Sequence, residues 1–241
     1  MTRIIEFRGT VLTGPGTEHH GLWSVDGLLT FHRPAVAPDL VLDGWVIPGL
    51  VDAHCHIGLG PGGDVPEDVA ERQAMTDRDA GTLLVRDAGA VHDTRWVQQR
   101  TDLPRLIRSG RHIARTRRYL RGFAVEVEPE DLVEAVRKQA RAGDGWVKLV
   151  GDWIDRGAGD LAASFPARTL KDAVDAAHDE GARVTAHCFA EDTLDDMLDA
   201  GIDCIEHATG LLPRHLPRFV EQGVPIVPTL INIATFPDIA A

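Results

Sequence analysis

The sequence predicts an α/β fold, a TIM-like (β/α) barrel lacking its last strand, with a small β-module in front of it. Three observations predict this. A helical segment that stops at a glycine and gives way almost at once to an apolar strand recurs along the chain, as in RDAGTLLVRDAG, ARAGDGWVKLVGD, HDEGARVTAHC, LDAGIDCIEHATG and VEQGVPIVPTL. These strands are near-continuous apolar runs, the pattern of a parallel sheet covered by helices. Histidines recur at their carboxyl ends, where barrels of this kind place their active sites.

Length and composition agree. At 241 residues with 44% hydrophobic residues, the chain can bury one sizeable core, and barrels of roughly 250 residues form a single domain. A formal charge of -12 argues against a nucleic-acid partner, because no basic face could dominate it. No apolar run approaches the ~20 residues of a membrane span, and MTRIIEFRGT lacks the apolar core of a signal peptide. Three cysteines, an odd number, suit a reduced cytoplasmic setting.

Residues 1–47 form the β-module. IIEFRGTVLTG, GLWSVDGLLTFH and LVLDGWVIPG read as its strands, with His19, His20 and His32 on its surface. The barrel takes residues 48–241. Its first strand lies in VIPGLVDAHCHIG, Val46–Gly58. Residues two apart on a strand share a face, so Leu50, Asp52, His54 and His56 point one way and Val51, Ala53, Cys55 and Ile57 the other. The helices that follow carry apolar stripes, Leu132, Val133, Val136 and Ala140 in one and Leu170, Val174 and Ala177 in another. Pro129 suits a first helical turn. Glycines 81, 143, 181, 201 and 223 are expected to end helices in the left-handed conformation. With the weaker RLIRSG at Arg105–Gly110, seven strands are expected.

The carboxyl ends of these strands carry the chemistry. His54 and His56 end the first, Lys148 lies in the fourth, His187 ends the fifth and His207 the sixth. Parity groups Trp146, Lys148 and Val150, Thr185 with His187, and Ile205 with His207. Paired imidazoles at a strand end are pre-aligned metal ligands, although an isolated His-x-His is more often an ordinary hydrogen-bonded pair. A lysine between Val147 and Leu149 buries a charge at high cost unless it is paired or neutralised. Either its ammonium meets Asp52 or Asp152, or its amine takes up carbon dioxide and becomes an anionic carbamate ligand. The three cysteines are expected on the helix-facing side in apolar packing, which argues against a thiolate metal site. Asp52 stands open between orienting a ligand histidine and an ordinary structural hydrogen bond, and Asp87 carries no assignment.

PGLVDAHCHIG, the lysine of WVKLVGD, TAHC and IEHATG together resemble the amidohydrolase superfamily, more closely its imidazolonepropionase and Xaa-Pro dipeptidase branch. The resemblance covers nearly the whole chain. It implies a metal-dependent hydrolase acting on carbon–nitrogen bonds (amide, peptide or cyclic amide) through a metal-activated water. It implies one or two divalent ions, usually zinc. His54 and His56 would ligate the first, carboxylated Lys148 would bridge, and His187 and His207 would ligate the second. A deaminase of the same superfamily is disfavoured, since those typically lack the strand-four lysine.

One departure matters. The family places a metal-touching, proton-accepting aspartate at the end of its eighth strand, whereas this sequence ends 34 residues after His207. Asp238, the sole acid after strand seven, follows Phe236-Pro237 and receives no catalytic assignment. The expectation is therefore a C-terminally truncated amidohydrolase, and the alternative reading is a metal-binding but catalytically incompetent fragment. Seven strands cannot close an eight-stranded barrel, so self-association is expected. In related enzymes the loop after strand three shapes the substrate pocket. Here it is RHIARTRRYLRGF, and His112, Arg117 and Tyr119 are its expected substrate-binding residues. Its arginines would suit a small-molecule substrate carrying a carboxylate, or would pair with the protein's own acids; both readings stand at this point.

Overall fold

Asp26 and Gly27, at φ +50° and +85°, form the two-residue hairpin turn whose twist matches that of paired strands, and they shape the first of two compact units. The computed structural model describes residues 2–231 and 234, and the chain divides into residues 1–50 and 51–241; the sequence reading had placed that boundary after residue 47. Asp238 lies outside the described residues.

The first unit is a four-stranded sheet of β1 (Ile4–Gly14), β2 (Thr17–Val25), β3 (Leu28–Thr30) and β4 (Leu40–Asp43), in the order β3-β2-β1-β4. The run Gly21–His32, expected as one strand, is two strands because the Asp26-Gly27 turn sits inside it.

The second unit alternates strands and helices. It contains β5 (Leu50–Cys55), the short β6 (Leu59–Gly60) and β7 (Gly63–Asp64), α1 (Glu67–Asp79), β8 (Thr82–Asp87), α2 (Arg95–Gln98) and β9 (Arg105–Arg108). Then come β10 (Ile113–Arg115), β11 (Val125–Val127), α3 (Leu132–Ala142), β12 (Trp146–Val150), β13 (Asp152–Asp155), β14 (Asp160–Ala163) and α4 (Ala167–Asp179). It closes with β15 (Arg183–Cys188), α5 (Glu191–Ala200), β16 (Cys204–His207), α6 (Leu216–Gln222) and β17 (Ile226–Val227). The fold is α/β with parallel sheets: β5-β8-β9 forms one and β11-β10-β12-β15-β16-β17 another. A backbone bond from Asp144 N to Arg108 O at 2.8 Å joins the edge of the first to the segment that leads into β12 of the second. No helix among the described residues is long and apolar enough to cross a membrane.

Strand alternation separates two environments. Val147 and Leu149 of β12, Val184 and Ala186 of β15 and Ile205 of β16 pack with Leu132, Val136, Leu170, Val174, Leu194 and Met197 of the helices, all essentially inaccessible. Each such Val, Leu, Ile or Met side chain contributes about 1.5–3 kcal/mol by leaving water. The opposite faces of those strands hold Lys148, Thr185, His187 and Glu206, buried and polar.

Four expectations need correction. Gly81, Gly181, Gly201 and Gly223 take positive φ, but Gly143 does not; it remains extended at φ −87°, ψ −170°, and Gly145 at φ +85° makes the turn. Gly143 is small for another reason: a Cβ there would meet Arg108 O at 2.8 Å and Trp146 O at 2.9 Å. The stretch after β9, expected to be a loop, contains β10 and β11, and an unforeseen hairpin of β13 and β14 follows β12. Finally, Cys204 does not face the helices. Its Sγ lies 3.3 Å from Arg86 Nη2, on the same side as Glu206.

Candidate active site

Strand β5 sets the site, because alternation sends His54 and His56 to one side while Cys55 and Ile57 pack among apolar side chains. The two imidazoles stand edge-on with ring centroids 5.1 Å apart. Asp52, on the same face, accepts the backbone N–H of His54 at 2.9 Å, so it holds the strand end rather than a ring. His56 Nδ1 donates to the carbonyl of Gly89 at 2.8 Å, which leaves Nε2 free. Gly89 follows β8 at φ +120°, and a Cβ there would lie 2.7 Å from both N and Nδ1 of His112. Only glycine lets this carbonyl reach His56 without displacing the neighbouring ring.

His187 and His207 come in from β15 and β16. Their centroids are 4.6 Å apart, and His207 lies 4.9 Å from His54. The expected parity of β16 fails here. Glu206, rather than Ile205, shares the polar side of the strand, and His207 joins it because its backbone turns over at φ +68°. Thr229, whose Oγ1 bonds His207 Nδ1 at 2.7 Å, is also left-handed at φ +44°. Left-handed backbone at a non-glycine residue costs about 1–3 kcal/mol and clusters where structure is set by function.

Lys148 is buried beneath the histidines, and its partner is neither Asp52 nor Asp152. Its Nζ pairs with Glu206 Oε2. Glu206 Oε1 accepts from Thr185 Oγ1 at 3.0 Å and lies 3.7 Å from Arg86 Nη2, while Oε2 is 3.2 Å from His54 Nδ1. Below this layer Arg86 stacks on Trp146, 4.2 Å from its centroid. The sequence reading passed over Glu206. The signal was present: an acid between Ile205 and His207 in an apolar strand poses the same burial question as Lys148. Asp152, also buried, accepts the N–H groups of Phe189 and Ala190 at 2.9 and 2.7 Å and so fixes the turn after β15.

Burial controls the electrostatics. It lowers His54 and His56 to about 3 and His207 to about 2, and takes His187 well below its usual range; Lys148 depresses all four further. These are neutral imidazoles at neutral pH, the form that binds metal. Burial and then Arg86 push the Lys148 amine well below the usual lysine range, with the touching Glu206 carboxylate pulling the other way.

The donor set fits a divalent ion. His54, Glu206 and His207 each offer a ligand atom, all within 4.8 Å of one another. His54 Nδ1 and Lys148 Nζ both meet Glu206 Oε2, while His187 Nε2 is buried without a hydrogen bond, 3.8 Å from Asp152 Oδ1. A buried ring nitrogen left without a partner is costly unless something occupies the space beside it. Cysteine takes no part: Cys188 Sγ contacts Asp152 at 3.2 Å, and Cys55 packs with apolar neighbours.

A cavity of about 810 Å³ opens onto His54, His187 and His207, with Tyr119, Trp153, Ile154 and Phe189 in its walls. His112 is buried beside it, its ring 5.8 Å from His56 and 5.3 Å from Tyr119. Burial followed by His56 lowers it to about 3. Tyr119 is raised to about 12 by burial, so it keeps its proton. Arg117 is exposed, donates its backbone N–H to Glu126 at 3.2 Å, and does not line the cavity.

The sequence profile of the amidohydrolase family matches residues 45–238. Uncharacterized proteins of Mycobacterium tuberculosis and Mycobacterium bovis are each 57% identical over 221 residues, 91% of this chain and 60% of theirs. The chain thus spans about three fifths of the length of the curated relatives it matches. Among solved structures, a Xaa-Pro dipeptidase with bound methionine in its active site is similar at TM-score 0.75 and 21% identity, over 95% of this chain and 67% of that one. An A. niger ochratoxinase is similar at TM-score 0.74 and 18% identity, over 97% and 68%. At these identities the likeness is one of fold.

Proposed function

The chain belongs to the amidohydrolase family, and from that premise we propose that it acts as a metal-dependent hydrolase of carbon–nitrogen bonds. The parallel strands are then staves of a TIM-like barrel whose carboxyl ends carry the site. His54, His56, His187 and His207 hold one or two divalent ions, zinc first among them, and carboxylated Lys148 adds an anionic oxygen. The observation that carries this reading is the convergence of His54, Glu206 and His207, whose ligand atoms all lie within 4.8 Å of one another, with the rings of His56 and His187 5.1 Å from His54 and 4.6 Å from His207.

Bound there, a divalent ion supplies Lewis-acid polarisation of the scissile carbonyl and makes a water acidic enough to attack near neutral pH. The protein's own residues do the rest. The Gly89 carbonyl and the Thr229 hydroxyl fix the faces that His56 and His207 present. Burial keeps the imidazoles neutral, and it favours the neutral Lys148 amine, the form that adds to carbon dioxide and loses a proton to give the carbamate. Tyr119, still protonated, is a hydrogen-bond donor at the cavity wall, and His112 supports it from behind. The apolar wall limits competing water.

The test is metal analysis of the purified protein and of Lys148→Ala, each with and without bicarbonate, alongside turnover on a panel of amides. The wild type should hold at least one equivalent of metal, rising with bicarbonate, and the variant should hold less and not respond. Equal metal content in the two proteins would remove Lys148 from the site. Metal without turnover would favour the metal-binding, catalytically incompetent reading.

A further inference from the structure

We infer that this site accepts an uncharged amide whose apolar or aromatic substituent lies on the Trp153–Phe189 wall, and that it disfavours a carboxylate there. The inference deepens the hydrolase reading by naming its substrate class.

The wall is aromatic and reaches the candidate ligands. Ring centroids run from Tyr119 to Trp153 at 4.8 Å, from Trp153 to His187 at 5.3 Å, from His187 to Phe189 at 4.2 Å and from Phe189 to His207 at 5.1 Å. Ile154 extends this surface beside Trp153. A cavity of about 810 Å³ lies within the roughly 300–1,000 Å³ of small-molecule sites. A group seated against His187 and His207 therefore rests on ring faces and edges, which reward apolar area and aromatic contact.

The arginines of the basic loop do not line this cavity. Arg118 is spent on Asp155 at 2.6 Å and on the carbonyls of Ala162 and Trp153 at 3.1 and 3.4 Å. Arg111 binds the carbonyls of Gly122 and Phe123, and Arg115 turns to the Ser164 carbonyl and Glu128. No lysine or arginine lines the cavity among the described residues, and its one acidic neighbour is Asp52. A carboxylate on that wall, away from the candidate metal ligands, would lose water, find no cationic side chain among the described residues and face Asp52. An uncharged ring meets none of these costs.

A matched trio of probes tests this by calorimetry on the metal-loaded chain: benzoylglycinamide, benzoylglycine and acetylglycinamide. The first should bind tightest. Replacing its amide by the carboxylate, or its ring by a methyl group, should each weaken binding by about tenfold or more. Trp153→Ala should abolish the advantage of the ring while leaving metal content unchanged. Ile154→Arg, a change at a half-exposed position, should shift preference toward benzoylglycine even if the tryptophan variant folds poorly. Benzoylglycine binding as well as or better than the amide, or no binding by any of the three, overturns the inference. Binding of benzoylglycinamide without its hydrolysis supports the inference and counts against the hydrolase reading. Preferential hydrolysis of benzoylglycine does the reverse.

Discussion

Besides the histidines and cysteines, four ionisable side chains lie buried inside apolar strands: Arg86, Asp87, Lys148 and Glu206. Three of them answer one another. Asp87 does not; its Oδ1 accepts the Gly89 N–H at 2.9 Å, and its Oδ2 has no hydrogen-bond partner. Burial raises its pKa to about 7. Its folded-state value therefore exceeds the ~3.9 of an unfolded aspartate. Between roughly pH 4 and 7 the folded protein keeps a proton that the unfolded chain releases, so wild-type stability falls as pH rises through that window and then levels off. Asp87→Asn retains the bond to Gly89 and removes the titration. Urea melts should show the variant gaining on the wild type from pH 5 to pH 7, by on the order of a few kcal/mol, with only about a few tenths more by pH 8. Parallel curves would mean that water reaches Oδ2. At this scale Lys148 was legible, because a charge in an apolar strand is conspicuous. Glu206 was obscured by parity counted from His207, whose left-handed backbone shifts the register of faces by one.

Regular elements were the most legible level, because apolar stripes and glycine stops are local. Helices α3 and α4 fall where their stripes are, α5 stops at Gly201, and β12, β15 and β16 lie within the expected runs. The short pieces β10, β11, β13 and β14 escaped, since three or four residues carry little pattern and are held by their neighbours. The seam between β9 and β12 is likewise non-local. The Asp144 carboxylate accepts from Arg108 N, Nε and Nη2 at 2.9, 2.9 and 2.6 Å and from Gln98 Nε2 at 2.7 Å. Asp144→Ala leaves those donors to water and should cost about 1–3 kcal/mol, and Asp144→Asn less, as read from denaturant midpoints. A change within a few tenths of a kcal/mol would show that the backbone bond alone holds the seam.

Among the described residues, β5 and β17 each pair on one side only. The first edge is apolar toward solvent, with Val51 60% exposed, and two helical residues beyond β17, Leu230 and Ile231, are 71% and 81% exposed. Open apolar edges recruit further strands. The 241-residue chain should therefore self-associate with rising concentration in sedimentation velocity, and Val51→Lys, an edge charge, should shift it toward the monomer. A monodisperse wild type at high concentration would show that these edges are covered.

By itself the sequence determined the alternation of helix and strand and the positions of His54, His56, Lys148, His187 and His207 at or near strand ends. Periodicity, glycine stops and strand parity act over a few residues, so one chain in isolation displays them. Three features were settled by tertiary structure alone: which acid meets Lys148, that the loop arginines are spent on local carbonyls and acids, and that Trp153 and Phe189 wall the cavity. Each joins residues from different elements, up to 58 positions apart for Lys148 and Glu206. Such pairings depend on how sheets twist and where turns release the chain, and no local pattern encodes that.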